Sequence, residues 1–363
     1  MRIEVIHPCD LGPTETAAWR ALQGDGLRSP YLSPDWARLV GAARPDARIA
    51  VLTDGAERGF LGVQRPSRFA AMGLGAPIAD YQGLVAAPSF SPPPAALCRA
   101  LGVGRIDLAN VPAGQTYFAP HEAGRDGSWL SAASLGVEGY RAAIKARRPE
   151  FLRQQNKKIR KMAKERGEPV FTAQSRNRGH FEQMMAWKNV QLERTGQPQI
   201  WKTPWVSNVL NATFDATDDR CAGVFCTLTI GGELIAANYF LRSETVLHDW
   251  IMAHDAAFEP YSPGVLLAQM CVEWAACEGF HEVDFGPGGY QYKRQLATHQ
   301  RDLAWGVLTA PSASGMFRRA AYAARAGIER APQARLAALP GKAMRKIDLM
   351  RGLARPDPKI KLH

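Results

Sequence analysis

Apolar positions in the first part of the chain fall in short runs, separated by stretches with helical spacing. Ile3–Ile6, Ile49–Leu52, Gly59–Val63 and Ile106–Ala109 are apolar runs of strand length. Thr14–Leu22, Asp35–Ala43 and Ala95–Leu101 repeat apolar residues at three and four positions, as a half-buried helix requires. Ser33-Pro34 supplies a start for the second of these helices, and the run Pro92-Pro93-Pro94 forms a loop before the third. A second unit is expected from near Gly127. It has a strand at Ser128–Ser131, helices across Val137–Gly167, a strand at Val170–Ala173, and helices near Gly179–Thr195 and Pro204–Phe214.

The clearest strand pattern follows. Ala222–Ile230, Glu233–Arg242 and Thr245–Met252 are joined by Gly231-Gly232 and Ser243-Glu244, which are hairpin-length connections. A helix is expected at Gly264–Glu278, closed by Gly279, then a strand at His281–Phe285 and a last strand near Leu303–Thr309. From Ser312 onward the pattern is wholly helical. Phe317, Ala321, Ala324 and Ile328 share one face. Met344, Ile347, Met350 and Leu353 form another stripe, opposite Lys342, Arg345, Lys346 and Arg351. These segments predict an α/β (α+β) chain with domains at 1–115 and 116–311, and a basic amphipathic tail at 312–363 lying outside the globular core.

Composition sharpens this picture in two respects. With 363 residues, 46% of them apolar, two domains with sizeable cores are expected. No run approaches the about 20 apolar residues needed to span a bilayer, and the first residues read as a strand, so a cytoplasmic protein is expected. The six cysteines, Cys9, Cys98, Cys221, Cys226, Cys271 and Cys277, form no C-x-x-C pair and read as reduced thiols. The net charge of +11 is concentrated. Ten Lys/Arg face two acids in 145–166, and twelve face three in 316–363. Those two stretches hold more than the whole excess.

The stretch EVDFGPGGYQYKR, Glu282–Arg294, looks like a phosphate cradle but fits neither template. A P-loop needs G-x-x-x-x-G-K-S/T, and Lys293 is followed by Arg294. The dinucleotide fingerprint needs a third glycine where Gln291 stands. Gly286 and Gly288 are read instead as turn formers that deliver Tyr290, Tyr292 and Lys293.

The succession GELIAANYFL, a strand with His248-Asp249-Trp250, YSPGVLLAQMCVEWAACEGF and VDFGPGGYQYK resembles the GNAT superfamily of acyltransferases. The closer likeness is to its CelD-like branch, named from cellulose and exopolysaccharide synthesis and related to FemAB-type transferases. RRPEFLRQQNKKIRK and Ala79-Asp80-Tyr81-Gln82-Gly83 also resemble that branch. The resemblance spans roughly 1–310 and is strongest over 230–295.

It implies two tandem GNAT-like domains, each a mixed, mostly antiparallel sheet flanked by helices. An acyl donor, acetyl-CoA, would bind between two splayed parallel strands, Thr245–Met252 and His281–Phe285. Its pyrophosphate would meet the N-terminus of the intervening helix, where N–H groups and the dipole favour anions. Donor contacts are then expected from Ile251, Met252, Ala253, Ser262, Gly264 and Val265. The usual glycine-rich loop is reduced here to Gly264, as in FemAB-type enzymes, which take aminoacyl-tRNA.

Acyl transfer needs a base for the acceptor, stabilisation of the oxyanion, and an acid for the leaving group. The resemblance points to Lys293 for the developing charge and to Tyr292 for the leaving group. Strand alternation would separate those two side chains unless the segment turns. Asp249 is the unusual carboxylate in an apolar strand, read either as a general base or as a paired structural group. Asp284 and Tyr290 are weaker candidates for the acceptor side, Asp284 serving equally to orient turn amides. No metal-ligand spacing is present, because His248 and His254 are six apart and lack a Cys or His at ligand spacing. No G-x-S-x-G elbow is present either.

Arg153, Lys157, Arg160, Lys161 and Lys164 share one helix face, suited to an anionic substrate or to plain solvation. No nucleic-acid reading module accompanies them, so sequence-specific nucleic-acid binding is not expected. The tail is read as holding the protein at the inner face of an anionic membrane, or as docking cyclic di-GMP through Arg318, Arg319 and Arg325. The expected activity is transfer of acetyl to an amino sugar of an exopolysaccharide precursor. The alternatives are a FemAB-like aminoacyl transferase on a cell-wall precursor and a non-catalytic, membrane-associated effector.

Overall fold

The computed structural model describes residues 1–24, 26–329 and 334–354, with side chains of 334–339 left aside. Residues 355–363 of the expected tail lie outside the described residues. Contacts group the chain into two compact units. One is Met1–Asp126 together with the chain from Asp302 onward, and the other is Gly127–Arg301. These cuts differ from the expected segments: the last strand and the tail helices belong with the first unit.

The first unit begins with β1 (Arg2–Ile6), α1 (Pro13–Ala21), α2 (Pro34–Ala43), β2 (Ala47–Asp54), β3 (Glu57–Ser67), β4 (Ala70–Gly73), β5 (Leu84–Ala86), α3 (Pro94–Ala100) and β6 (Arg105–Pro112). Ser33 Oγ accepts from the Trp36 amide and Pro34 opens α2, as the sequence predicts. β4 and β5 were not expected. They are short, and Ala70-Ala71-Met72-Gly73 has none of the β-branched residues that mark a strand.

The second unit follows with β7 (Glu122–Ala132), α4 (Gly136–Arg147), α5 (Pro149–Arg166), β8 (Val170–Thr172), α6 (Arg178–Arg194), α7 (Pro204–Asp215), β9 (Ala222–Ile230), β10 (Glu233–Arg242), β11 (Val246–His254), α8 (Pro263–Cys277), β12 (Glu282–Pro287) and α9 (Gln291–Leu296). Its strand order is β7-β12-β11-β10-β9-β8, antiparallel except for the parallel pair β11–β12. α8 packs on β9 to β12 and α6 on β10 and β11. Leu266, Leu267, Cys271 and Val272 of α8 meet Phe240, Leu247 and Phe285 in one core. Each buried leucine there contributes about 1.5–3 kcal/mol. Phe181, Phe214, Phe225 and Tyr239 form a separate aromatic cluster.

β13 (His299–Thr309), α10 (Ala313–Glu329) and α11 (Ala334–Leu353) complete the first unit. Its strands run in the order β1-β2-β3-β4-β6-β13, with β5 on β3, and β4–β6 is its parallel pair. Each unit is thus a mixed, mostly antiparallel sheet with one parallel step, flanked by helices.

The tail is helical, but the expectation that it lies outside the core is corrected. Arg318 is buried with Asp107 and Asp348, and the carbonyl of buried Gly352 accepts from Arg44 at 2.7 Å. A Cβ at 352 would lie 2.7 Å from the Ala76 carbonyl oxygen, so glycine permits this close approach. The residues on the expected apolar face are largely the outward ones: Phe317, Ile347 and Met350 are exposed.

Candidate active site

The site of the second unit is made by two strands parting. β11 and β12 pair in parallel from Val246–His248 against Glu282–Asp284, and there the ladder ends. β11 runs on to His254 and β12 to Pro287. At the same place β11 carries a bulge: Phe240 pairs with Asp249 and Tyr239 with Ile251, leaving Trp250 as the extra residue. Bulges bend a strand and re-aim its side chains. Ile251, Met252 and Ala253 hold β10 along one edge, and their other edge faces the parting.

α9 brings Tyr292 and Lys293 to this wedge. Gly286 (φ 73) and Gly288 (φ 112) take conformations that L side chains rarely adopt, which turns the chain sharply after β12. α9 then begins at Gln291, so the segment is helical where extended alternation had been the alternative. The Tyr292 hydroxyl donates to Asp249 Oδ2 at 3.0 Å, and its ring meets Phe285 edge-on at 6.2 Å. Lys293 is 8% exposed, and its Nζ donates to the Pro287 carbonyl at 2.9 Å. Tyr290, at the N-cap of α9, is exposed, with Lys293 Nζ 5.8 Å from its ring centre.

His248 and Asp249 take opposite faces, as alternation demands. Burial pushes the Asp249 carboxyl up, against the pull of Lys293, the Tyr292 hydroxyl, His248 and Lys188. His248 Nδ1 lies instead 3.8 Å from Asp284 Oδ2. Asp284 is fully buried; its Oδ1 accepts from Ser128 Oγ at 2.5 Å and from the Gly286 amide at 2.8 Å. That corrects its placing on the acceptor side: Asp284 holds the turn.

Lys188 was missed. Its Nζ reaches the Met252 carbonyl at 3.4 Å, and burial lowers its pKa despite the attraction of Asp249. The sequence did carry a trace of it. Lys188 stands four residues from buried Met184 and four from buried Leu192, so a lysine occupies the apolar stripe of α6.

The opening of α8 approaches β11 closely. A Cβ at Gly264 would lie 3.2 Å from Met252 Sδ and 3.5 Å from His254 Nδ1, which explains a glycine there. Pro263 occupies the first helical position, where no N–H bond is lost, and Val265 is half-buried beside it. Ser262 is left-handed (φ 54, ψ 52), a conformation costing a non-glycine residue on the order of 1–3 kcal/mol. Its Oγ accepts from Lys158 Nζ at 2.7 Å. Lys158 belongs to α5, whose Arg153, Lys157, Arg160, Lys161 and Lys164 are all exposed, Arg153 being paired with Glu150. Lys161 Nζ also lies 5.8 Å from the Tyr261 ring centre, at the chain's entry to α8. Cations therefore flank a helix start whose first N–H groups lack helical partners.

In the first unit, Arg318 and Arg325 are committed to carboxylates, with Asp107 and Asp348 on the first and Glu329 on the second. Only Arg319 of the three expected messenger contacts has an exposed side chain, so the geometry gives cyclic di-GMP no support. Among the described residues there is no group of three or more His, Cys, Asp or Glu able to hold a metal ion. None of the described helices is long and apolar enough to cross a membrane.

Residues 149–294, which contain this wedge, match the Acetyltransf_6 family, an acetyltransferase (GNAT) domain. This match supports an acyltransferase of GNAT type, a class that generally draws on acyl-CoA. Among solved structures, FemX is similar at 10% identity and a TM-score of 0.53, over 84% of this chain and 96% of that one. A C-terminal domain (DUF2156) assigned to a lysylphosphatidylglycerol synthetase of Agrobacterium fabrum is similar at 10% identity and 0.50, over 84% and 95%. A tandem GNAT protein from the clavulanic acid biosynthesis pathway has 10% identity and 0.44, over 86% and 100%. At these identities the likeness is one of fold. No curated protein sequence matched.

Proposed function

We propose that the second unit transfers acetyl from acetyl-CoA to the amino group of an amino sugar in an exopolysaccharide precursor. The observation that carries this reading is the convergence of Tyr292, Asp249, Lys293 and Lys188 on a wedge between two parallel strands. The donor's thioester carbonyl would lie along the open edge of Ile251–Ala253, with its pyrophosphate at Ser262–Val265 and Lys158. Asp249, in contact with Tyr292, receives the proton released as the acceptor nitrogen attacks. The buried Lys293 ammonium offsets charge developing on the carbonyl oxygen, and the Tyr292 hydroxyl protonates the departing CoA thiolate. Lys188 adds a second, half-buried amine whose charge acts on Asp249. The sugar acceptor comes from the likeness to the CelD-like branch, since no residue of the wedge selects a sugar. Exposed Arg153, Lys157 and Arg160 suit an acceptor that carries phosphate.

The test is calorimetry with acetyl-CoA, followed by thiol release with glucosamine and glucosamine 1-phosphate as acceptors. Saturable binding, and release lost in Lys293→Ala without loss of fold, are expected. No heat with acetyl-CoA at saturating concentration would end this version.

A second reading has a specific observation behind it. The turn before α8 has only Gly264 of the usual glycine loop, and α5 presents a dense exposed cationic face, which suits an aminoacyl-tRNA donor. Binding of charged tRNA in place of acetyl-CoA would favour it. A non-catalytic effector at an anionic membrane would bind neither donor and would sediment with anionic vesicles.

A further inference from the structure

α10 is turned inside out relative to an ordinary surface helix, which buries its apolar stripe and exposes its charges. Its polar side chains point inward. Arg318 is buried against Asp107 and Asp348, Tyr322 lies 5.2 Å from Trp305 between ring centres, and the Arg325 guanidinium sits 4.1 Å from the centre of the Trp305 ring. Outward lie Met316, Phe317, Ala320, Ala323, Ala324 and Ile328, all exposed. Phe317 is 75% and Met316 72% exposed, more than any other large apolar side chain among the described residues. A contiguous exposed apolar patch marks a surface that meets something else.

Two neighbours extend this face. Phe69 is exposed at the turn between β3 and β4, and its carbonyl accepts from Ser314 Oγ at 3.2 Å, which places it beside the start of α10. α11 packs on α10 and exposes Ile347 and Met350 together with Lys342, Arg345 and Lys346.

Charge chooses the partner. Arg68, Arg319, Lys342, Arg345 and Lys346 are exposed, and among the described residues none of them is paired with a carboxylate. The acids of these two helices, Glu329 and Asp348, are already held by Arg325 and Arg318. A second copy pressed onto this face would bring the cations against one another with no free acid between them. An anionic bilayer offers hydrocarbon and negative headgroups side by side in one plane. Apolar side chains enter the boundary of headgroups and acyl chains while Lys and Arg meet the anionic surface, as in other helices that lie at a membrane interface.

We propose that α10, α11 and the β3–β4 turn form a surface that docks on an anionic lipid bilayer. Phe69, Met316 and Phe317 enter the interface, and the unpaired cations meet the headgroups. The helices lie on the bilayer and not across it, since none of the described helices is long and apolar enough to span it. This docking is independent of the donor and acceptor assigned to the second unit. Donor binding, not vesicle binding, then separates an acyltransferase from a non-catalytic effector.

The test is cosedimentation of the full chain with vesicles of phosphatidylcholine alone, and of phosphatidylcholine and phosphatidylglycerol in equal parts. Binding to the anionic vesicles is expected, at least about tenfold tighter than to the neutral ones, because each Lys or Arg at an anionic surface adds about fivefold. The double substitution Met316→Ser with Phe317→Ser should weaken it about tenfold or more. Arg345→Glu with Lys346→Glu should weaken it by a similar factor. All four positions are exposed, and an unchanged unfolding temperature checks that the fold is kept. Phe69→Ser probes the same face from another element if the first pair does not fold. Lys293→Ala, in the second unit, should bind vesicles as the wild type does. No sedimentation with anionic vesicles, or binding indifferent to these surface substitutions, would overturn the proposal. So would a dimer in solution that Met316→Ser with Phe317→Ser dissolves, which would give the face to a second copy.

Discussion

The Tyr292 hydroxyl donates to Asp249 Oδ2 at 3.0 Å, joining a nascent helix to a strand 43 residues earlier. In the proposed reaction this bond gives a proton a path between the acceptor and leaving-group sides. Tyr292→Phe keeps the ring against Phe285 and removes only the path. Thiol release should fall about 10²- to 10⁴-fold, the range for general acid–base groups. Retention of the full rate, with the near-ultraviolet spectrum intact, would remove the pair from the chemistry.

Asp249 also predicts how stability depends on pH. Burial raises its pKa in the folded protein, so the native state keeps a proton that the unfolded chain has released. Stability carried by this group is therefore present in acid and declines as pH rises from about 4 through the elevated folded pKa. Asp249→Asn removes that dependence. In urea titrations from about pH 5 to about pH 8, the variant should gain stability relative to wild type as pH rises. A constant difference would show that Asp249 has an ordinary pKa in the folded state.

Lys188 separates function from stability. Lys188→Met matches the side chain's length and removes an amine whose charged form burial disfavours. The variant should unfold at an equal or higher temperature, yet release thiol at least about tenfold more slowly. A variant of unchanged rate would make Lys188 a packing residue.

The Arg44–Asp46 pair, 0% and 1% exposed, anchors the end of α11 through the Gly352 carbonyl. Arg44→Leu leaves Asp46 buried without its partner. It should cost about 3–5 kcal/mol in chemical denaturation. A loss well below that would mean that water reaches Asp46.

Gly223 has no room for a side chain. A Cβ there would lie 1.8 Å from the Tyr239 hydroxyl oxygen, which is held by Thr213 at 2.8 Å. Gly223→Ala should destabilise by about 1–3 kcal/mol, measured by urea titration. Stability unchanged from wild type would show that Tyr239 can leave its place at little cost.

Where local pattern and burial coincide, the sequence was legible. β9 and β10 occupy the predicted Ala222–Ile230 and Glu233–Arg242, because long apolar runs and a two-glycine turn leave one pairing. The parallel step between β11 and β12 was legible through likeness of motif, and the roles of Tyr292, Lys293 and Asp249 beside it belong to the proposal above. Lys188 was not, since its partners lie 61 and 64 residues onward, at Asp249 and Met252, and helical spacing by itself called for an apolar residue. β4 and β5 escaped because strands of four and three residues are too short to show a period, and β4 is also made of residues with little strand propensity.

By itself, the sequence determined most of the elements and a helical tail, which follow from periodicity, turn residues and chain order acting over a few positions. The mixed sheets and the parallel step across α8 were read instead from likeness to a family. Only the tertiary structure decided which groups share a site, that Asp284 holds a turn while Asp249 faces Tyr292, and that the tail buries Arg318 rather than Phe317. Such outcomes depend on desolvation and on partners brought from far along the chain. Arg318 turns inward because Asp107 and Asp348 offset its charge there, which no local pattern encodes.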